Sequence, residues 1–456
     1  MPNKEEYLDE VCKQIRFRAA RKYLRQELDA HIEDKKEEYI KNAAPDAEAK
    51  AVASMGDATE TGRALNAVHR PRTEWGVIAC VLALTVAGFL TIWLSQMDDI
   101  YFSSGWQFSE QIWTHVFGIC LAAAACFFNY TYIVRLRYVL YAAALAMVAC
   151  YITWNQYMFS ETTILFLVID WPFQTPVITF ATLLFMLGTL GFISKPGSRG
   201  AFSLLPSVGL GAVSIAAMTI IQASFYALLL AIVYLTALGV AVFRMHSNKL
   251  RRILYLLVPA CVFAAVLILL IKSGLFLNLF LKLRIAGFGT NIGEDSNAYV
   301  VTGALKGSKL IGASPYYLAR QSAGLGGSST DFILTSVITR YGWLAAAGFI
   351  AAYGVLLFLL FTRGIRIAHT AGKVIALGIS AFLLLRFVAC VLTNVGIITG
   401  VSCGLPFVSF GRVDYIANSL LIGIFLSVWR RSTFMKDKSR VQIIGHTKEI
   451  DKTTTA

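Results

Sequence analysis

Asp331 follows the stretch Gly324-Leu325-Gly326-Gly327-Ser328-Ser329-Thr330 and opens an apolar helical run. An aspartate at a helix start gains from the positive end of the dipole, and it is also a candidate proton acceptor. The segment before it, residues 273–330, carries Lys282, Arg284, Lys306, Lys309 and Arg320 against only Glu294 and Asp295. That excess is either tolerated loop charge or an anion site. A phosphate-bearing lipid would suit such a site, because Lys and Arg give charge-assisted bonds to phosphate oxygens and neighbouring apolar helices would take the tail. One carboxylate and several cations suffice for glycosyl transfer from a lipid pyrophosphate. The base takes the proton of the attacking hydroxyl, and pyrophosphate leaves without a general acid once it is neutralised. Mg²⁺ or Mn²⁺ could assist that neutralisation, although the sequence shows no closed metal site.

These residues need a scaffold, and composition says what kind. With 57% hydrophobic and 15% charged side chains over 456 residues, the chain is too apolar for a water-soluble globule. Lysine and arginine balance aspartate and glutamate over residues 1–72, so the net charge of +14 sits on the hydrophobic remainder. It falls there in short clusters between apolar runs, which excludes the continuous basic face of a nucleic-acid binder. The eight cysteines are scattered, mostly in apolar runs, and form no disulfide or metal framework.

A bilayer core of about 30 Å needs about 20 apolar residues per helix. That ruler gives about ten spans, near 75–96, 111–133, 138–155, 175–194, 203–222, 225–244, 252–272, 331–361, 372–396 and 411–429. The run 200–243 would be about 66 Å long as one helix, so it must turn near Gln222 and Ser224. Lys and Arg fill every second connection: Arg135 and Arg137; Lys195 and Arg199; Arg244 to Arg252; Arg363 to Lys373; Arg430 and Arg431. The alternate connections carry Asp98, Asp99, Glu110, Glu161 and Asp170. The expectation is that both termini are cytoplasmic and that the 273–330 loop is external. Arg340 and Arg386 lie inside predicted spans, at a cost of about 2.5–3.5 kcal/mol each, and are expected to pair with carbonyls or face a wet cavity. His115 is expected to be a packing residue.

Residues 1–72, with Tyr7, Val11, Ile15 and Leu24, Leu28, Ile32 at helical spacing, read as a small cytoplasmic helical bundle. Pro45 and Gly56 punctuate it, and Asp57 or Thr59 is placed to cap its last helix. The head resembles the permease prefix domain. The fold class is therefore all-α, a polytopic membrane protein with a helical head at 1–72, a membrane domain at 73–435 and a polar tail at 436–456.

The membrane part resembles the SEDS family of cell-shape, division and sporulation proteins (RodA, FtsW, SpoVE). Leu325-Gly326-Gly327-Ser328-Ser329-Thr330-Asp331-Phe332 is similar to that family's Leu-Pro-Glu-x-His-Thr-Asp-Phe pattern, and Gly342 to the glycine after its paired glutamates. Arg284-Ile285 and Tyr299 resemble its loop motifs. Asn394-Val395-Gly396, Thr399-Gly400 and Leu405-Pro406-Phe407-Val408-Ser409-Phe410-Gly411 resemble its later ones. Here Thr339-Arg340 stands for the paired glutamates, Val300 for a glutamine, Ala313 for a loop lysine and Arg412-Val413-Asp414 for Gly-Ser-Ser.

The resemblance implies polymerisation of peptidoglycan from lipid II onto a growing glycan strand, with Asp331 as the catalytic aspartate. It also implies substrate contacts at Arg284, Lys309, Arg320, Thr330 and Ser409, and a class B penicillin-binding protein as partner. The alternative is a non-catalytic lipid II binder, translocator or scaffold.

Overall fold

The computed structural model describes residues 3–42, 46–68, 73–98, 105–161, 174–194, 205–221, 223–245, 249–272, 297–315, 330–398 and 403–432. Arg284, Arg320, Pro45 and the 436–456 tail lie outside them. The chain divides into two compact units: Met1–Thr73 with Trp429–Ala456, and Glu74–Val428.

Within the smaller unit are α1 (Lys4–Gln14), α2 (Arg18–Lys41), α3 (Ala47–Ala53) and α4 (Ala58–Val68). All six residues picked out by helical spacing are buried together with Tyr7's neighbour Leu8 and with Ala51 and Val52. Gly56 takes the left-handed φ of +82°, and Asp57 Oδ2 then accepts the Glu60 N–H at 2.9 Å, which caps α4. That backbone hydrogen bond, first among its causes, lowers the Asp57 carboxyl below its ordinary range. Ion pairs such as Lys4–Asp29 and Lys36–Glu48 lie on the surface, where screening leaves them little weight.

The larger unit holds α5 (Trp75–Asp98), α6 (Gly105–Phe127), α7 (Thr131–Arg135), α8 (Arg137–Glu161), α9 (Gln174–Ser194), α10 (Leu205–Ile220), α11 (Ser224–Met245) and α12 (Lys249–Lys272). It continues with α13 (Asn297–Leu305), α14 (Ile333–Tyr341), α15 (Trp343–Arg366), α16 (Thr370–Asn394) and α17 (Arg412–Arg431). Among the described residues, 8 helices are long and apolar enough to cross a membrane, and Pro206–Ile220 and Leu256–Ala265 are shorter apolar helices. The protein is therefore a polytopic, all-helical membrane protein. The turn expected near Gln222 and Ser224 falls between α10 and α11.

Burial grades the spans from centre to rim. The windows of α9, α16 and α17 are 72%, 67% and 72% buried, whereas those of α6 and α8 are 11% and 17% buried, so the first three form the centre and the last two the rim. At one end, Arg363 Nε meets Glu74 Oε1 at 3.0 Å, and Arg244 donates to the carbonyls of Ile367 and Ala368. These contacts gather the start of α5, the ends of α11 and α15 and the start of α16 into one basic end.

The stretch 331–361, read as one span, is two helices. Gly342 breaks it at φ +98°, where a Cβ would lie 2.5 Å from the Leu310 carbonyl oxygen. Segment 309–314 runs beside the break: Trp343 and Leu344 N–H donate to the Lys309 and Leu310 carbonyls, and Gly312 and Ser314 N–H donate to Tyr341 and Thr339. Hydropathy is continuous across a break of this kind, so an apolar count cannot register it. The helix expected to end near residue 133 likewise stops at Phe127, before the short α7.

Candidate functional site

Asn394, fully buried at the end of α16, organises the region around Asp331. Its Oδ1 accepts the Thr335 N–H at 2.9 Å, and its carbonyl accepts the Thr335 hydroxyl at 2.8 Å. Its Nδ2 donates to the Asp331 carbonyl at 2.8 Å and the Cys390 carbonyl at 2.9 Å. Thr335 lies in the first turn of α14, whose own preceding residue, Phe332, supplies no side-chain cap. Asn394 is thus a cap donated by another helix. The result fixes the backbone of Asp331 two residues before α14, with a half-buried side chain at the positive end of that helix.

The Leu405–Gly411 motif is folded into the protein beside this point. Residues 403–408 are buried, and Phe407 adopts φ +67°, a left-handed conformation uncommon for a bulky side chain. Gly88 of α5 admits the loop, since a Cβ there would stand 2.5 Å from Val408 Cα. Gly404 touches both Ser409 and Thr330: a Cβ on it would lie 3.2 Å from the Thr330 carbonyl and clash with the Ser409 hydroxyl. The Ser409 hydroxyl donates to the Leu405 carbonyl at 3.1 Å, which closes the loop's own turn.

Asp331, Thr330 and Ser409 therefore share one locality. Lys309 is exposed, and its carbonyl is held by Trp343 beyond the far end of α14, about 12 Å of helix from the aspartate end. Among the described residues no group of three or more His, Cys, Asp or Glu side chains could hold a metal. A divalent ion at Asp331 would have to take most of its ligands from water and substrate phosphates.

Arg340 pairs with a carbonyl, as expected, but not within one of the helices long and apolar enough to cross a membrane. It sits at the end of α14, its guanidinium donating to the Leu94 carbonyl near the end of α5 and lying 5.3 Å from the Tyr341 ring centroid. Arg386 is inside a span and 1% exposed, but its partner is a carboxylate and not a carbonyl. Its Nη1 and Nη2 donate to Asp414 Oδ1 and Oδ2 at 3.2 and 2.8 Å. Thr179 of α9 donates to the same carboxylate at 3.5 Å, and Cys403 Sγ lies 3.3 Å from the Arg386 carbonyl oxygen. The pair joins α16, α17 and α9 directly beneath the loop that reaches Thr330. Asp414 is the only acidic residue between Asp331 and Asp437, which made it one sequence-legible candidate partner for a buried Arg386. His115 packs as expected, its ring centroid 4.2 Å from that of Tyr415.

Fold and site together define a polytopic membrane protein in which two aspartates at helix starts are set by buried polar contacts between helices, Asp331 through its backbone and Asp414 through its side chain. No family model matches the chain. It is 28% identical over 168 residues to a probable peptidoglycan glycosyltransferase, FtsW of Enterococcus hirae, a match that spans 35% of this chain and 38% of that protein. Its fold matches a chain of a peptidoglycan synthase complex that coordinates polymerization and crosslinking, with a TM-score of 0.56 at 17% identity over 78% of this chain and 98% of the other. It also matches a point variant of the rod shape determining protein RodA of Thermus thermophilus, with a TM-score of 0.50 at 17% identity over 78% and 97%. These structural matches, at 17% identity, establish a shared membrane-protein fold.

Proposed function

We propose that the protein is a peptidoglycan glycosyltransferase that polymerises lipid II at the outer face of the cytoplasmic membrane. The observation that carries this reading is the Asn394 clamp, which sets the Asp331 backbone at the start of α14 beside the Gly404–Ser409 loop. In this reading Asp331 takes the proton of the attacking sugar hydroxyl as that oxygen bonds to the anomeric carbon, and the lipid pyrophosphate departs. Arg284 and Arg320, with Lys309 if its side chain reaches back from the far end of α14, would neutralise the pyrophosphate, and Mg²⁺ or Mn²⁺ would add positive charge to it. Thr330 and Ser409 line the acceptor side. A class B penicillin-binding protein as partner accords with the fold match to a complex that couples polymerization to crosslinking.

The basic end of the membrane domain supports a cytoplasmic placement of both termini, which puts Asp331 outside. Reporter fusions at Ser198, Ser247 and the C-terminus should read cytoplasmic, and those at Gln107, Asn291 and Gly404 external; an external C-terminus contradicts the orientation. The activity is tested by polymerisation of fluorescent lipid II by the purified protein, alone and with a candidate transpeptidase. The placement of Lys309 beyond the far end of α14 favours a second reading, a non-catalytic lipid II binder or scaffold. Binding without polymerisation under every partner and metal condition would select it.

A further inference from the structure

At the basic end of the membrane domain, an open pocket of ≈ 490 Å³ is lined by Thr131, Arg135, Arg137, Ser194 and His369, among others. It lies at the junction of α7, α8, α9 and the start of α16. The His369 ring is oriented from below: its Nδ1 accepts the Gly372 N–H at 3.4 Å and meets the Tyr130 hydroxyl at 3.3 Å, which places the proton of the neutral ring on Nε2. Arg137 donates to the Val134 carbonyl at 3.1 Å, while its Nε is buried without an acceptor among the described residues. Arg244 braces the same corner through the carbonyls of Ile367 and Ala368.

The stretches that build this pocket contain no acid. No Asp or Glu occurs between Glu110 and Glu161, between Asp170 and Glu294, or between Asp331 and Asp414. Two guanidiniums and the Thr131 hydroxyl thus border the pocket with no carboxylate from their own helices to neutralise them, while the Ser194 hydroxyl is spent on the Leu190 carbonyl at 2.6 Å. Such a set is complementary to a phosphate. The surroundings identify which kind. Tyr132, Leu136, Tyr138 and Val139 are exposed beside the pocket, the Arg137 guanidinium lies 4.9 and 5.2 Å from the Tyr138 and Phe192 rings, and α8 is a rim helix that shows most of its apolar surface. Apolar surface next to a cationic pocket fits a head group with tails attached, and not a soluble ion.

We infer that this pocket binds the phosphate of an anionic phospholipid, with the acyl chains along the rim of α8. It is independent of the chemistry at Asp331. The test uses the full-length protein in detergent, titrated with phosphatidylglycerol, phosphatidylcholine or inorganic phosphate and followed by native mass spectrometry and thermal shift. Phosphatidylglycerol should be retained by the wild type and phosphatidylcholine should not. The Arg135→Gln/Arg137→Gln pair should bind phosphatidylglycerol about 30-fold more weakly, the effect of two charges at about 1 kcal/mol each. Arg135→Gln alone, which removes an exposed side chain, should weaken it roughly fivefold and covers the case in which the double variant fails to fold. Equal retention by wild type and Arg135→Gln, equal binding of the two lipids, or inorganic phosphate binding as tightly as the anionic lipid would each overturn the proposal.

Discussion

Two aspartates, Asp331 and Asp414, stand at the starts of helices, and they are held in opposite ways. Asp414 is held by its side chain, both carboxylate oxygens accepting from the buried Arg386. Asp331 is held by its backbone, the carbonyl accepting from Asn394, which also caps the helix that follows. A carboxylate with both oxygens taken by one arginine is committed to that contact. A main-chain clamp positions the residue without enlisting its carboxylate. The first arrangement builds the scaffold and the second can serve chemistry.

The largest effect expected from breaking this contrast is at Arg386. Arg386→Leu leaves Asp414 without its partner among the central helices, which should cost about 3–5 kcal/mol and lower the melting temperature steeply in detergent. The double substitution Arg386→Leu/Asp414→Leu should recover much of that loss, because well-packed apolar side chains can replace a buried pair. If Arg386 is structural, lipid II binding should fall only in step with the folded fraction. A variant that keeps its melting temperature and loses binding would instead place Arg386 in the substrate site.

Asn394→Leu should have a smaller effect on stability and a larger one on activity. It strands the Thr335 N–H and the Asp331 carbonyl, each at about 1–3 kcal/mol if no water replaces the bond, and releases the backbone that positions Asp331. Polymerisation should therefore drop more than the melting temperature implies, whereas equal losses would make Asn394 a packing residue only.

The smallest effect lies in the head, far from either aspartate in the sequence. Asp57 has its carboxyl lowered by the Glu60 N–H. Because the folded value is the lower one, the stabilisation is present above the ordinary aspartate range and is lost as the pH falls through the folded value. Hydrogen exchange of the α4 amides should quicken below about pH 4 in the wild type and be fast at all pH values in Asp57→Ala.

What the sequence made legible follows the same division. The apolar runs and the helical periodicity of the head report solvent exposure, so most spans and the residues Tyr7 to Ile32 of the head core were readable. The break at Gly342, the cap from Asn394 and the Arg386–Asp414 pair depend on which helices meet. A linear pattern carries that only by elimination, as for the lone acid opposite Arg386. At the site, Asp331, Thr330 and Ser409 could be named from their motifs, but that Gly404 brings Thr330 and Ser409 together required the folded loop.

The central claim rests on Asp331, and the most direct test is the rate of lipid II polymerisation by purified wild type and Asp331→Asn at matched folded concentration, with lipid II binding measured alongside. Asparagine keeps the size and most of the hydrogen bonding but cannot accept the proton. The account predicts a loss of at least about 10²-fold in rate with binding retained. Polymerisation by Asp331→Asn at the wild-type rate would contradict it.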